Sequence, residues 1–195
     1  MNESDSAARG KPQERPLLQP RIATVESDQW SPAQRELLEP FERTGRLYNV
    51  FKTMANHPDL ARDWLKFATY ILQRNSLPVR DREILILRIG WLCQSEYEFA
   101  QHARIGQAVG MTAEEIARIR GDDIAGWSQH ERLLIQATDQ LHQASMIDDA
   151  TWQGLSQTYD QRQMMDLVFT VGQYNLVSMA LNSFRVQLDP DLKRP

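Results

Sequence analysis

The chain has a single cysteine, Cys93, among its 195 residues, so it can form no disulfide within itself. That excludes the disulfide-stapled frameworks of small secreted proteins and any C-x-x-C redox pair, and it points to a reducing, cytoplasmic compartment. Long hydrophobic runs are also missing. The most apolar window, Ile84 to Cys93, is too short for a bilayer span, which takes about 20 residues, and Arg88 interrupts it. Met1 to Arg21 is polar and charged and lacks the apolar stretch of a signal peptide. No block of one charge sign stands out: 22 basic and 26 acidic side chains are spread along the sequence, for a formal net charge of -4. Neither nucleic acid nor membrane is therefore expected as a partner. Glycine and proline number 9 each and fall mostly where helical patterns end, and no segment alternates at period two for long enough to suggest a sheet.

What is present is helix. With 42% hydrophobic and 25% charged residues, the chain suits one globular domain with a sizeable core. The expected layout is a flexible N-terminal arm over residues 1–30, one helical domain over 31–188 and an irregular tail over 189–195. Ser31 and Pro32 supply an N-cap and a first-turn proline for a short helix to Phe41, which Pro40 should end. Leu47, Val50, Phe51 and Met54 recur at helical spacing, and His57-Pro58 breaks that run before Leu60, Trp64, Phe67 and Ile71 resume it. Pro78 opens a helix that is apolar almost all round. A break at Gln94 follows, and the next helix runs to Val109 with Gly110 as its cap. Thr112 with Glu115, and Ser128 with Glu131, have capping-box spacing. Asp148 or Asp149 can cap a helix over Thr151 to Tyr159, and Asp160 can cap the last long helix to Phe184. The fold class is all-α, a helical bundle. Leu47–Ile119 and Ser128–Phe184 each join long helices across short polar breaks, as two similar halves would, but their residue identity is too weak to establish a duplication.

Chemistry is expected where ionisable residues interrupt apolar helices, between Arg80 and His102. His102 shares a helix face with Phe99, Ala103, Gly106 and Val109, one turn from Glu98, so it points inward. Glu83 precedes the Gln94 turn by about 11 residues and His102 follows it by about 8, so at about 1.5 Å rise per residue the two are offset by only about 4.5 Å in an antiparallel hairpin, within reach of their side chains. Glu83, Glu98 and His102 are thus expected to converge. Carboxylates stabilise an imidazolium while burial opposes its charge, which is how a proton-transfer group is tuned. The same spacing also suits a satisfied structural pair. It would equally suit two ligands of one metal, but no third His, Cys or Asp stands at a recognisable ligand spacing, so no metal is expected. Cys93 reads as a small buried apolar residue.

Arg82-Glu83-Ile84-Leu85-Ile86-Leu87, then Tyr97-Glu98-Phe99 with His102, then Ala108-Val109-Gly110 and Thr112 with Glu114-Glu115-Ile116, together resemble the signature of the carboxymuconolactone decarboxylase family and its alkyl-hydroperoxidase D relatives. The resemblance covers Leu47 to Ile119 well and the second half loosely. It implies an AhpD-like helical bundle, a homo-oligomer (a trimer or a multiple of it) and no cofactor. In the peroxidase relatives two cysteines stand at the positions of Ser95 and Glu98, and a proton-relay glutamate stands at that of Glu83. Without those thiols a thiol peroxidase is not expected. The decarboxylase branch instead carries a glutamate four positions before the histidine, often followed by an aromatic residue, as Glu98-Phe99 and His102 do here. That implies a lyase of aromatic catabolism acting on a small carboxylated lactone or related carbonyl acid. Glu83, Glu98 and His102 would be catalytic, and Arg80, Arg82, Arg88 and Tyr174, with Asn182 beside the tyrosine, are the candidates to meet the substrate, although at least two of the three arginines read as solvated or ion-paired and Tyr174 and Asn182 also read as core and cap residues. The alternatives are a non-catalytic oligomeric scaffold of the same fold and an atypical hydroperoxide-reducing antioxidant protein. A DNA-binding module around Gly110-Met111-Thr112 is disfavoured, since no basic recognition helix follows.

Overall fold

In a computed structural model, residues 19–121 and 125–192 are described, and among them the regular structure is entirely helical. The helices are α1 (Pro32–Arg43), α2 (Asn49–Met54), α3 (Pro58–Gln73), α4 (Val79–Leu92), α5 (Glu96–Ala108), α6 (Ala113–Arg118), α7 (Gln129–Ala144), α8 (Asp149–Leu155) and α9 (Gln161–Phe184). The start signals in the sequence act locally as written. Ser31, Thr112, Ser128 and Asp160 each close a reciprocal capping box with the residue three positions on. Each box satisfies N–H groups that the first helical turn would otherwise leave unpaired.

α4 is the hub. It is buried without interruption from Arg82 to Gly90 and packs against α5, α7 and α9. Ile84, Leu85, Ile86, Leu87 and Ile89 form the centre of a core that takes Phe99 from α5, Leu134 and Ala137 from α7, Leu155 from α8, and Leu167 and Val171 from α9. A helix enclosed on all sides cannot be amphipathic, which explains its near-continuous apolar sequence. The three charged side chains inside it, Arg82, Glu83 and Arg88, must then be neutralised within the protein.

Three expectations are corrected. Pro40 lies inside α1, which runs on to Arg43; its missing N–H and the crowding of its ring against the carbonyl four residues back are tolerated in a short, largely exposed helix end. α8 ends at Leu155 rather than Tyr159, capped by the Asp148 side chain on Thr151 N–H. The segment expected as a flexible arm is docked from Arg21 onward. The Arg21 N–H donates to Phe184 O at 2.9 Å, the Val25 N–H donates to Lys52 O at 3.3 Å, and Trp30 is buried with Leu38 and Ala55. The rest of that expectation, residues 1–18, lies outside the described residues, as do 193–195 of the tail. Residues 189–192 have no helix, yet Asp189 is buried and accepts from Tyr97 Oη, Gln101 Nε2 and Asn49 N. No helix among the described residues is long and apolar enough to cross a membrane.

Candidate functional site

Gln94, with a φ of 52°, reverses the chain between α4 and α5, and the Ser95 N–H closes the turn on Gly90 O at 2.9 Å. At Gly90 the two helices come close: a Cβ there would stand 3.5 Å from Glu98 Cγ. The hairpin places α5 antiparallel to α4, and the residues spaced for convergence meet. His102 Nδ1 is 2.6 Å from Glu83 Oε2, and His102 Nε2 is 3.1 Å from Glu98 Oε1. The other Glu83 oxygen accepts from Arg82 Nε and Nη2, while Arg82 Nη1 donates to Leu72 O at 2.7 Å. Tyr174 of α9 stands edge-on to the imidazole, with ring centroids 4.9 Å apart. The result is a linear chain, Arg82–Glu83–His102–Glu98, running from the core towards the α5 N-terminus. When all four groups are ionised, its charges cancel.

Burial sets the electrostatics. Glu83 is 0% exposed and His102 4%. Desolvation opposes a charged imidazole, but the charge and hydrogen bond of Glu83, joined by those of Glu98, outweigh it and raise His102 to about 9. Burial likewise pushes Glu83 upward, yet the attraction of His102 and Arg82 leaves it below the ordinary glutamate range. Tyr174 is driven well above its usual value by burial and by the Glu98 and Glu83 charges, so it stays a neutral phenol. At neutral pH the imidazole is therefore charged, with both ring nitrogens committed to carboxylates.

The arginines divide. Arg82 belongs to the chain, as Glu83's second partner. Arg80 and Arg88, expected to meet a substrate, instead hold helices together. Arg80 pairs with Glu115 of α6, at a short Nη2 contact of 2.5 Å, and with Glu131 of α7 at 2.9 Å. Arg88 is bidentate on Asp139 of α7, at 2.6 and 2.8 Å, and also donates to the carbonyls of Ile119 and Gly121. Arg88 is consumed because a buried arginine must find carboxylates or carbonyls inside the protein, whereas Arg80, still a third exposed, bridges the acidic first turns of α6 and α7. Asn182 likewise does not share the histidine pocket with Tyr174; its Nδ2 donates to Cys93 O at 2.8 Å, closing the end of α4. Cys93 is half-buried, and its thiol donates to Asn175 Oδ1 at 3.0 Å. Among the described residues, no group of three His, Cys, Asp or Glu side chains is arranged to hold a metal ion.

Two residues of this region were not singled out from sequence as site groups. Ser95, the N-cap of α5, and Ser178 of α9 are both buried, and neither hydroxyl has a hydrogen-bond partner. The Ser95 position was noted only for the cysteine it lacks. For Ser178 the one available signal was its place a turn beyond Tyr174.

Residues 58–140 match the Carboxymuconolactone decarboxylase family, so the family resemblance read from the motifs stands on this segment. No curated protein matches the chain. Among solved structures, an uncharacterized peroxidase-related protein from Ralstonia eutropha JMP134, described as an alkylhydroperoxidase AhpD core, superimposes with a TM-score of 0.77 at 16% identity, over 88% of this chain and 93% of that one. A peroxidase-related protein from Silicibacter sp. TM1040 gives 0.74 at 15% identity, over 94% and 96%. A debrominase in complex with 2,3,4-tribromopyrrole gives 0.70 at 13% identity, over 87% and 91%. At such identities the likeness establishes the AhpD-like fold and not a shared reaction.

Proposed function

We propose that this protein is a lyase of the carboxymuconolactone decarboxylase kind, which removes carbon dioxide from a small lactone acid or related carbonyl acid by delivering a proton to carbon. The observation that carries the reading is the Glu83–His102–Glu98 chain, 2.6 and 3.1 Å between its members. It stores a proton on a buried imidazole and ends at a carboxylate. Because both ring nitrogens are taken, His102 does not itself meet the substrate; Glu98, at the outer end, does. When the bond to the carboxylate breaks, its electron pair passes to the carbonyl oxygen, giving an enolate and carbon dioxide. The Nε2 proton of His102 moves to Glu98, and the Glu98 proton moves to the enolate carbon. Solvent then restores the proton to His102, so one proton is consumed for each carbon dioxide released. Arg82 and Glu83 hold the compensating charges throughout.

A second reading, in which the chain only clamps α4 to α5, is favoured by the complete burial and pairing of Glu83. Assay of the purified protein against a panel of lactone acids and β-keto acids, with Glu98→Gln and His102→Gln as controls, decides between them. Carbon dioxide release lost in both folded variants supports the lyase. Absence of release from every member of the panel rejects it in favour of the clamp.

A further inference from the structure

The contacts between α5 and α9 run in opposite directions along the two helices. His102 meets Tyr174, Tyr97 packs with Val177 and Leu181, and the carbonyl of Cys93 receives Asn182. In that register Ser178, one turn beyond Tyr174, lies level with Glu98, one turn before His102. Ser95 precedes Glu98 by three residues and so lies on the same α5 face. The side chains next to Cys93 agree with this placement: the Ser178 hydroxyl faces the thiol, and the Glu98 charge reaches it. Glu98 thus stands between two hydroxyls, where the proton chain ends.

These hydroxyls are anomalous. Ser95 is 1% exposed and Ser178 0%, and neither Oγ has a partner. An unpaired buried hydroxyl costs about 1–3 kcal/mol. Ser178 faces the Cys93 thiol without a hydrogen bond of normal geometry. Ser95 leaves its own helix without a side-chain cap. Ser178 sits beside a thiol that burial and Glu98 keep protonated, and that thiol gives its hydrogen to Asn175. Two donors held free beside a carboxylate are the arrangement that receives an oxygen acceptor, and the neighbouring Cys93 is only partly buried.

We propose that Ser95 and Ser178 form an oxygen-binding subsite that takes the carbonyl of a small lactone or keto acid and stabilises it as an enolate, beside Glu98. The assignment rests on the lyase reading for its chemistry, but its binding half can be tested separately. As the electron pair of the breaking bond reaches the carbonyl oxygen, both hydroxyls donate to it, and they strengthen as the charge grows. When the carbon is protonated, the charge leaves and the oxygen is released.

The probe is paraconate, a saturated lactone acid that does not lose carbon dioxide, labelled with carbon-13 at the lactone carbonyl and followed by infrared difference spectroscopy. The wild-type protein should shift the carbonyl stretch to lower frequency. Ser95→Ala and Ser178→Ala should each remove part of the shift and the double variant all of it, with melting temperatures equal to or above wild type because no hydrogen bond is lost. His102→Gln should retain the shift. For any acid of the panel that turns over, each alanine variant should lose about a hundredfold in kcat. Failure of paraconate to bind at millimolar concentration, or a shift that persists in the double variant, overturns the subsite. A serine-dependent shift in a protein that turns over no acid leaves the subsite standing and removes the lyase. Turnover unchanged by both alanines does the reverse.

Discussion

His102 Nδ1 and Glu83 Oε2 stand 2.6 Å apart across the α4–α5 hairpin, between residues 19 apart in the chain. The bond ties a buried imidazole to a carboxylate that also holds Arg82. His102→Gln keeps the approximate volume and one polar end but cannot store a proton. We expect it to abolish lyase turnover while the far-ultraviolet helical signal is retained. Stability should fall by roughly 1–3 kcal/mol under either reading, because a buried partner is left unpaired, but if the chain were only a clamp any activity would track the folded fraction. Melting and turnover measured on the same preparation separate the two.

Stability should depend on pH through the same residue. The pKa of His102 rises from 6.5 to about 9 on folding, so its contribution is fully present below about 6.5 and is lost as pH climbs through about 9. Glu83 works in the opposite sense: lowered on folding, it contributes above the ordinary glutamate range and less as pH falls through its folded value. Denaturant midpoints measured between pH 6 and 10 should decline in the wild-type protein and much less in His102→Gln. Equal slopes in the two proteins would show that His102 does not hold its proton more tightly when folded.

Arg88 was a substrate candidate in the sequence and is a strut in the structure. Its side chain is 3% exposed and bidentate on Asp139. Arg88→Leu should therefore cost about 3–5 kcal/mol, as removing one member of a buried ion pair does, while leaving the KM of the surviving folded protein near that of wild type. A KM raised tenfold at unchanged stability would return Arg88 to the substrate.

The fate of Arg88 shows what the sequence could and could not convey. Helix starts were legible because a capping box is a contact over three residues, and the Glu83–His102 approach was legible because a short turn fixes the register of a hairpin. Which of the three arginines are ion-paired, and with what, was not legible, because the partners of Arg80 and Arg88, namely Glu115, Glu131 and Asp139, lie on helices whose docking no local pattern specifies. The docking of Arg21 to Trp30 was hidden for the same reason: its acceptors are Phe184 O and Lys52 O, far along the chain. Ser178 becomes visible only once α9 is in register with α5.

Self-association is expected through α9. Met165, Phe169, Leu176 and Met179 lie at spacings of four, seven and three on one stripe, 61%, 53%, 51% and 55% exposed. Phe67 of α3 extends the stripe, edge-on to Phe169 with ring centroids 6.1 Å apart. An exposed apolar stripe of this kind marks an interaction surface, and further copies of the chain, each covering the stripe of the next around a closed ring, would bury it. Sedimentation equilibrium at micromolar concentration should give a trimer or a multiple of it, and Phe169→Glu should shift it towards monomer. A wild-type monomer would count directly against the expectation.

Finally, the protein should not reduce alkyl hydroperoxides with a dithiol donor. A peroxidatic cysteine must be a thiolate at neutral pH and must be resolved by a second thiol. Cys93 meets neither requirement. Burial and the Glu98 charge raise its pKa above the ordinary thiol value, the nearest imidazole nitrogen, His142 Nδ1, is 4.0 Å away, and the chain has no other cysteine. Alkylation of Cys93 by iodoacetamide at pH 7 should accordingly be slower than that of free cysteine, and should accelerate only when the pH rises above the range where an unperturbed thiol ionises. Dithiol-dependent hydroperoxide consumption should match the protein-free blank. Turnover above that blank, absent in Cys93→Ser, would mean that Cys93 finds its resolving thiol on another molecule, with the Ser178 hydroxyl steadying its thiolate instead of an enolate.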